Sequence, residues 1–298
     1  MSSLPPPLRA GAAIRIVAPS GAFDRTVFDA GVRLIEAAGF KPVFDDGLFA
    51  RQRYLAGSDA RRRRELVAAL EDPGAEAIWT ARGGYGATRL LPALGLDWIR
   101  RRPKWLIGFS DATALHAVWA RAGLASVHGA NVTTLAQWTA AAQAELVALL
   151  CGGAVPALTG TTVHDGPTVR GPLLGGNLTV LAAMAGTDAL PSFAGSVVLL
   201  EDIGERPYRL DRSLTQLVQA GAFAGVKGFA VGQLTDCVEP AGAPDVGCSA
   251  LEVVVEVLAP LGVPIVAELP VGHESSARPV VLGRDVALVP SAATLERC

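Results

Sequence analysis

The sequence predicts an α/β protein built on a parallel sheet, followed by a second domain of different character. Three observations predict it. Short apolar runs alternate with helix-like stretches through the first half, a spacing that implies parallel pairing with both sheet faces covered. The chain has 298 residues, half of them hydrophobic, enough for one large or two medium cores. From about residue 152 the composition turns to Gly, Thr and Pro with little helical periodicity, which reads as a linker plus short strands opening a second domain.

The elements follow in order. AAIRIVAPS (12–20) is a strand ending in a Pro-Ser-Gly turn, and FDAGVRLIEAAG a helix. KPVFDD is the second strand. Next comes a helix in GSDARRRRELVAALEDPG, started by a Ser58 or Asp59 cap and ended by Gly74. Its basic run 61-RRRR-64 is expected to be a solvated face. EAIWTA (76–81) is the third strand, closed by the glycine turn 82-RGGYGATR-89. KWLIGF is the fourth, followed by a helix after Ser110, and ASVHGANV (125–132) the fifth. The expected division is an N-terminal domain over 1–151, a linker over 152–168 and a C-terminal domain over 169–298. In the latter, NLTVLAAMAG, LDRSLTQLVQAG and SALEVVVEVLAPLG read as helices, with GSVVLLED, GFAVGQL, PIVAEL and VVLGRDVALVP as strands.

Charge and composition exclude several functions. A formal net charge of −2 gives no basic field for nucleic acid. Cys151, Cys237, Cys248 and Cys298 lack metal-ligand spacing and imply free thiols in a reducing compartment. No signal peptide or membrane span is legible, so a cytoplasmic protein without membrane partners is expected.

Candidate chemistry begins at Gly108-Phe109-Ser110-Asp111-Ala112, where a strand meets a helix. Small residues around a serine at such a junction suit a nucleophile elbow. A helix cap explains the same serine, and the pentapeptide leaves both open. A serine nucleophile needs a base. His116 lies six residues into the same helix and points away. His164 falls in the polar linker and His128 reads as structural. His273 stands in a glycine-flanked loop between strands, where catalytic side chains collect. The orienting carboxylate is sought in 197-VVLLEDIGERPYRLDR-212, where Glu201 and Asp202 both end a strand. Position does not choose between them. The 82–89 turn fails the dinucleotide fingerprint because Arg89 occupies its third glycine position, yet its glycines leave amides open to an anion. GPLLGGNL (171–178) reads as a structural turn with Asn177 capping a helix.

The segments RGGYGATRLL, IGFSDATAL, GPLLGGNLTVLAAMAGT and VLLEDIGERPYRLDRSLTQL, with 271-VGH-273, together resemble the LD-carboxypeptidase family over roughly residues 12 to 285. The resemblance implies a flavodoxin-like or glutamine-amidotransferase-like N-terminal domain and a smaller C-terminal α/β domain with a mixed sheet. It also implies a serine peptidase with nucleophile Ser110, carboxylate Glu201 and base His273. These are 91 (201 − 110) and 72 (273 − 201) residues apart, so the nucleophile falls in the first domain and its helpers in the second. The implied oxyanion hole joins Gly84 or Tyr85 to Asp111, and Arg82 is a candidate for the substrate's free carboxylate. A murein tetrapeptide substrate, a homodimer and no metal or cofactor complete the expectation.

Two alternatives stand beside it. Relatives of the microcin C immunity type cleave aminoacyl-nucleotide conjugates and need an aromatic platform. Trp79, Trp98, Trp105, Trp119 and Trp138 all precede the linker, which favours the murein substrate. The other alternative is a non-catalytic two-domain binding protein with Ser110 only a cap.

Overall fold

The computed structural model describes residues 3–242 and 247–298; Met1 and Ser2 of the expected N-terminal domain, and 243–246 in the expected Cys-containing loop, lie outside them. The chain divides into two compact units. One holds the chain up to Val155 together with Arg278–Leu282, and the other holds Pro156–Ala277 with Gly283–Cys298.

In the first unit the elements run β1 (Ala13–Val17), α1 (Arg25–Ala37), β2 (Lys41–Val43), α2 (Asp59–Glu71), β3 (Ala75–Thr80), α3 (Leu96–Arg100), β4 (Trp105–Gly108), α4 (Thr113–Arg121), β5 (Ser126–His128), α5 (Val132–Leu135) and α6 (Ala140–Leu150). Parallel pairing gives the order β2-β1-β3-β4-β5, which is the flavodoxin order. The central strands are apolar and buried on both faces, as a helix-covered parallel sheet requires: all of Trp105–Gly108 is buried, and all of β3 except Glu76. The helices present one apolar stripe each. In α1 it is Phe28, Val32 and Ile35, with Gly31 where a Cβ would come within 1.9 Å of the Val132 carbonyl of α5. Asp24 caps that helix, its side chain accepting from Thr26 N at 2.7 Å.

Among the described residues this sheet has a sixth strand, Val280–Leu282, antiparallel on β5. The expected single strand VVLGRDVALVP is thus two. Gly283 at φ 84° breaks it, and the residues beyond it join the other unit.

The second unit has a mixed sheet, eight strands among the described residues. It contains β6 (Leu158–Thr159), β7 (Thr161–His164), β8 (Val169–Asn177), α7 (Leu178–Ala183), β9 (Val197–Ile203), α8 (Pro207–Gln219), β10 (Gly228–Thr235), α9 (Ala250–Leu258), β11 (Ile265–Ala267), β13 (Asp285–Val289) and β14 (Thr294–Arg297); Val280–Leu282 of the first unit takes the label β12. In the order β6-β14-β13-β8-β9-β10-β11-β7 the strands β8 to β11 are parallel, β13 and β7 run against them, β14 is antiparallel to β13, and β6 is antiparallel to β14.

Two expectations are corrected here. The short strands expected after residue 152 are β6 and β7, at the two edges of this sheet, so 152–168 is not a bare linker, and His164 sits on β7 with Nδ1 3.0 Å from the Val263 carbonyl. Short polar edge strands lack the apolar run that marks a strand in sequence. GPLLGGNL is not a turn either. It is most of β8, whose Gly175 would put a Cβ 2.1 Å from the Leu199 carbonyl, so the glycines admit the neighbouring strand. Asn177 does cap the following helix, accepting from Val180 N at 3.1 Å. No helix among the described residues is long and apolar enough to cross a membrane.

Candidate active site

In the first unit, the carboxyl ends of β1, β3 and β4 bring together the Pro19–Gly21 turn, the 82–86 glycine turn and Ser110. Ser110 holds φ at 62°, a left-handed conformation, directly after β4 and Phe109. Its side chain makes no helix-cap bond; a short 3-10 turn, Ser110–Ala112, leads into α4. The cap explanation therefore falls and the sharp elbow geometry stands. Small neighbours make the bend possible. A Cβ on Gly108 would stand 2.1 Å from Thr80 Oγ1, and one on Gly83 would stand 2.9 Å from Ser110 Cβ and 3.0 Å from its Oγ. Buried Asn131 braces the bend, with Oδ1 accepting from Thr80 Oγ1 and, at 3.4 Å, from Phe109 N.

Asp111 is buried. Its Oδ2 accepts from Ala87 N at 2.8 Å, tying the residue after the serine to the end of the glycine turn. Burial raises the Asp111 carboxyl above its ordinary value, against the Ser20 hydroxyl, the Ala87 amide and the Arg62 charge, which all lower it. Among the described residues the amides of Gly84, Tyr85 and Asp111 donate to no protein acceptor. Beside them lies a cavity of about 570 Å³ whose lining includes Arg51, Arg53, Tyr54, Arg82, Gly84 and Tyr85. Arg82 donates to the Ala22 carbonyl and Arg51 to that of Phe23 at 2.9 Å, which leaves further guanidinium donors on both.

The remaining histidine of α4 is structural. His116 is buried, with Nε2 2.9 Å from the Gly108 carbonyl and Nδ1 2.8 Å from Ser126 Oγ. Burial pushes its pKa down to about 3, so it stays a neutral hydrogen-bonding ring behind the elbow. His128 on β5 is buried edge-on to Phe109, ring centroids 6.0 Å apart.

In the second unit, β9 delivers Glu201 and Asp202 to opposite faces, as the two-residue period of a strand dictates. Their surroundings differ. Glu201 is fully buried, and its Oε2 is 2.8 Å from His273 Nδ1. Asp202 instead accepts from Asn177 Nδ2 at 2.9 Å, Thr179 N at 2.9 Å, Thr179 Oγ1 at 2.8 Å and Ile203 N at 2.8 Å. Burial and the neighbouring Glu201 charge raise the Asp202 carboxyl, against those donors. Its oxygens are saturated, so the imidazole meets Glu201 alone of the pair.

Gln233 at the end of β10 grips the histidine loop twice. Its amide donates to the Val271 carbonyl at 2.8 Å, and its Oε1 accepts from Glu274 N at 3.1 Å. Gly232 gives the room: a Cβ there would stand 2.2 Å from the Val271 carbonyl and 3.2 Å from Glu201 Cβ. Neither Gln233 nor Asn131 is visible as a site residue in sequence, because each acts by holding a loop distant in the chain. The signal available was position alone, at or just beyond a strand's carboxyl end.

The first unit thus carries a serine on a sharp turn at the end of a flavodoxin-order strand, and the second carries a buried carboxylate–imidazole pair on a mixed sheet. Residues 14–129 match the LD-carboxypeptidase N-terminal domain and residues 170–288 the LD-carboxypeptidase C-terminal domain. The chain belongs to the LD-carboxypeptidase family. It is 36% identical over 289 residues to the murein tetrapeptide carboxypeptidase of Pseudomonas aeruginosa, covering 92% of both chains. The solved muramoyltetrapeptide carboxypeptidase of Oxalobacter formigenes superposes with a TM-score of 0.83 at 26% identity, over 95% of this chain and 97% of that one. The microcin C7 self-immunity protein MccF gives a TM-score of 0.88 at 22% identity, over 99% and 98% of the two chains, a likeness of fold.

Proposed function

We propose that the protein is a serine LD-carboxypeptidase that releases the terminal D-alanine of murein tetrapeptides, in peptidoglycan recycling. The observation that supports the chemistry most directly is the left-handed Ser110 at the end of β4, in contact with a glycine turn whose amides are unspent. The murein substrate is supported by the similarity to the Pseudomonas enzyme.

In this mechanism His273 accepts the Ser110 proton as Oγ attacks the carbonyl between an L-configured centre and the D-alanine. The carbonyl π pair moves to oxygen, and the amides of Asp111 and of Gly84 or Tyr85 stabilise that oxyanion, each donor worth about 3–4 kcal/mol. Collapse breaks the C–N bond, and the imidazolium gives its proton to the leaving amine. Water then repeats the sequence on the acyl-enzyme. Glu201 holds His273 through Nδ1, leaving Nε2 for the proton transfers, and balances the imidazolium charge. Arg82 takes the substrate's free carboxylate. The protein is assigned to the cytoplasm, as a homodimer.

The test is product analysis by mass spectrometry on a muropeptide pool, with an aminoacyl-nucleotide conjugate assayed in parallel. Loss of D-alanine from tetrapeptide is expected. Ser110→Ala should abolish it, and Glu201→Gln should lower kcat by about 10⁴-fold, as removal of a triad carboxylate's charge does. A Ser110→Ala protein with near wild-type release would sink the mechanism. Cleavage of the nucleotide conjugate alone would replace the substrate and keep the mechanism.

A further inference from the structure

The run 61-RRRR-64 has no part in the mechanism above, and its second member is not solvated as the sequence suggests. Arg62 has no exposed surface. Its Nη1 donates to the Pro19 carbonyl and, at 2.9 Å, to that of Gly86, while Nη2 donates to Asp59. The second Asp59 oxygen holds Arg89 Nε and Nη2 at 2.9 and 2.6 Å. Gly86, at φ 133°, makes room: a Cβ there would stand 2.5 Å from Arg62 Nη1.

Two peptide planes give these contacts their consequence. In a trans peptide the C=O and the following N–H point in opposite directions. The Gly86 oxygen is taken by Arg62, and the Ala87 N–H of the same plane is taken by Asp111 at 2.8 Å. A guanidinium and a carboxyl group thus clamp the two ends of one peptide. The Gly83 oxygen accepts from Gly21 N at 3.0 Å, which aims the Gly84 N–H of that plane the opposite way. Gly21 belongs to the turn whose Pro19 carbonyl Arg62 also holds.

We propose that Arg62 is a positioning residue for the oxyanion site, fixing the glycine turn directly at Gly86 and, through the Pro19–Gly21 turn, at Gly84. The proposal rests on the oxyanion assignment made above. A guanidinium suits the task because its rigid fork supplies several donors in fixed directions, which an ammonium does not. Donors aimed in advance need no reorganisation as charge develops, and that is where they contribute to rate.

Arg62→Lys keeps the charge and loses the fork. Asp59→Asn, at a partly exposed position, leaves the guanidinium but weakens its anchor, and so serves if the first variant does not fold. Exposed Arg63→Lys is the control. Three measurements are made on each: amide hydrogen exchange across residues 82–87 without substrate, kcat and KM on tetrapeptide, and affinity for the tripeptide product. Faster exchange in that segment is expected for both variants, with kcat lowered about 10²-fold in Arg62→Lys. KM and tripeptide affinity should stay within about threefold, because the lost contact matters in the transition state. Arg63→Lys should change nothing. Unchanged exchange or unchanged kcat in a folded variant overturns the proposal, and so does a parallel loss of kcat and tripeptide affinity, which marks general loosening. The exchange result needs no substrate, so it stands apart from the assay that tests the function itself.

Discussion

Ser110 occupies a region of backbone space that costs a non-glycine residue on the order of 1–3 kcal/mol. The strain has a measurable consequence. Ser110→Gly and Ser110→Ala should both be inactive, but the glycine variant should be the more stable by about 1 kcal/mol in denaturant melts, because only glycine relaxes at φ 62°. Equal midpoints would show an unstrained elbow. The serine was legible in sequence as one of two things, and the backbone angle decided between them. Position in the strand likewise leaves Glu201 and Asp202 tied, and only the family resemblance implies Glu201. Four donors from β8, α7 and β9 itself saturate Asp202, and such donors, distant in the chain, leave no mark beside an acidic residue.

At the scale of elements, α2 shows where pattern reading fails. Four successive arginines read as a solvent-facing stretch, yet a helix turns about 100° per residue, so neighbours in a run face different ways. Arg62 therefore points inward while Arg63 and Arg64 are exposed. On the same helix Glu65 accepts from Ala18 N at 2.6 Å and pairs with Arg61, and burial pushes its pKa up to about 7. From the ordinary value of 4.5 to about 7, the folded chain keeps a proton that the unfolded chain has released. Stability should therefore fall as pH rises through that window, by about 3 kcal/mol, and level off above it. Glu65→Gln should flatten the slope, as thermal melts between pH 5 and pH 8 would reveal. An unchanged slope would assign the dependence to another group.

On the scale of the whole molecule, the last stretch of chain serves both units. Val280–Leu282 completes the first sheet, and Asp285–Val289 with Thr294–Arg297 extends the second. Arg278 is paired to Glu145 at 2.6 and 2.7 Å where the chain enters the first unit. A chain ending at Ala277 loses one strand of the first sheet and two of the second, with buried Val281, Leu282, Val286 and Leu288 among the residues lost. It should lose cooperative melting in circular dichroism and bind a hydrophobic dye. A sharp transition in the truncated chain would show that neither sheet needs those strands. One apolar run, VVLGRDVALVP, predicted a strand and could not predict two destinations, because pairing partners are chosen by the sheets and not by the run.

The sequence by itself determined the parallel α/β first half, the helix cap at Asn177, the choice of Ser58 or Asp59 as cap of α2, and the motifs that identify the family, since apolar period and small-residue spacing are local properties. Only the tertiary structure decided that Ser110 is bent rather than capping and that Arg62 is buried beneath the glycine turn, and it gave the physical reason why Glu201, which the family resemblance implied, and not Asp202 meets His273. Each of those depends on which distant donors, acceptors and glycine gaps surround a side chain, and that becomes defined when the strands are brought into register.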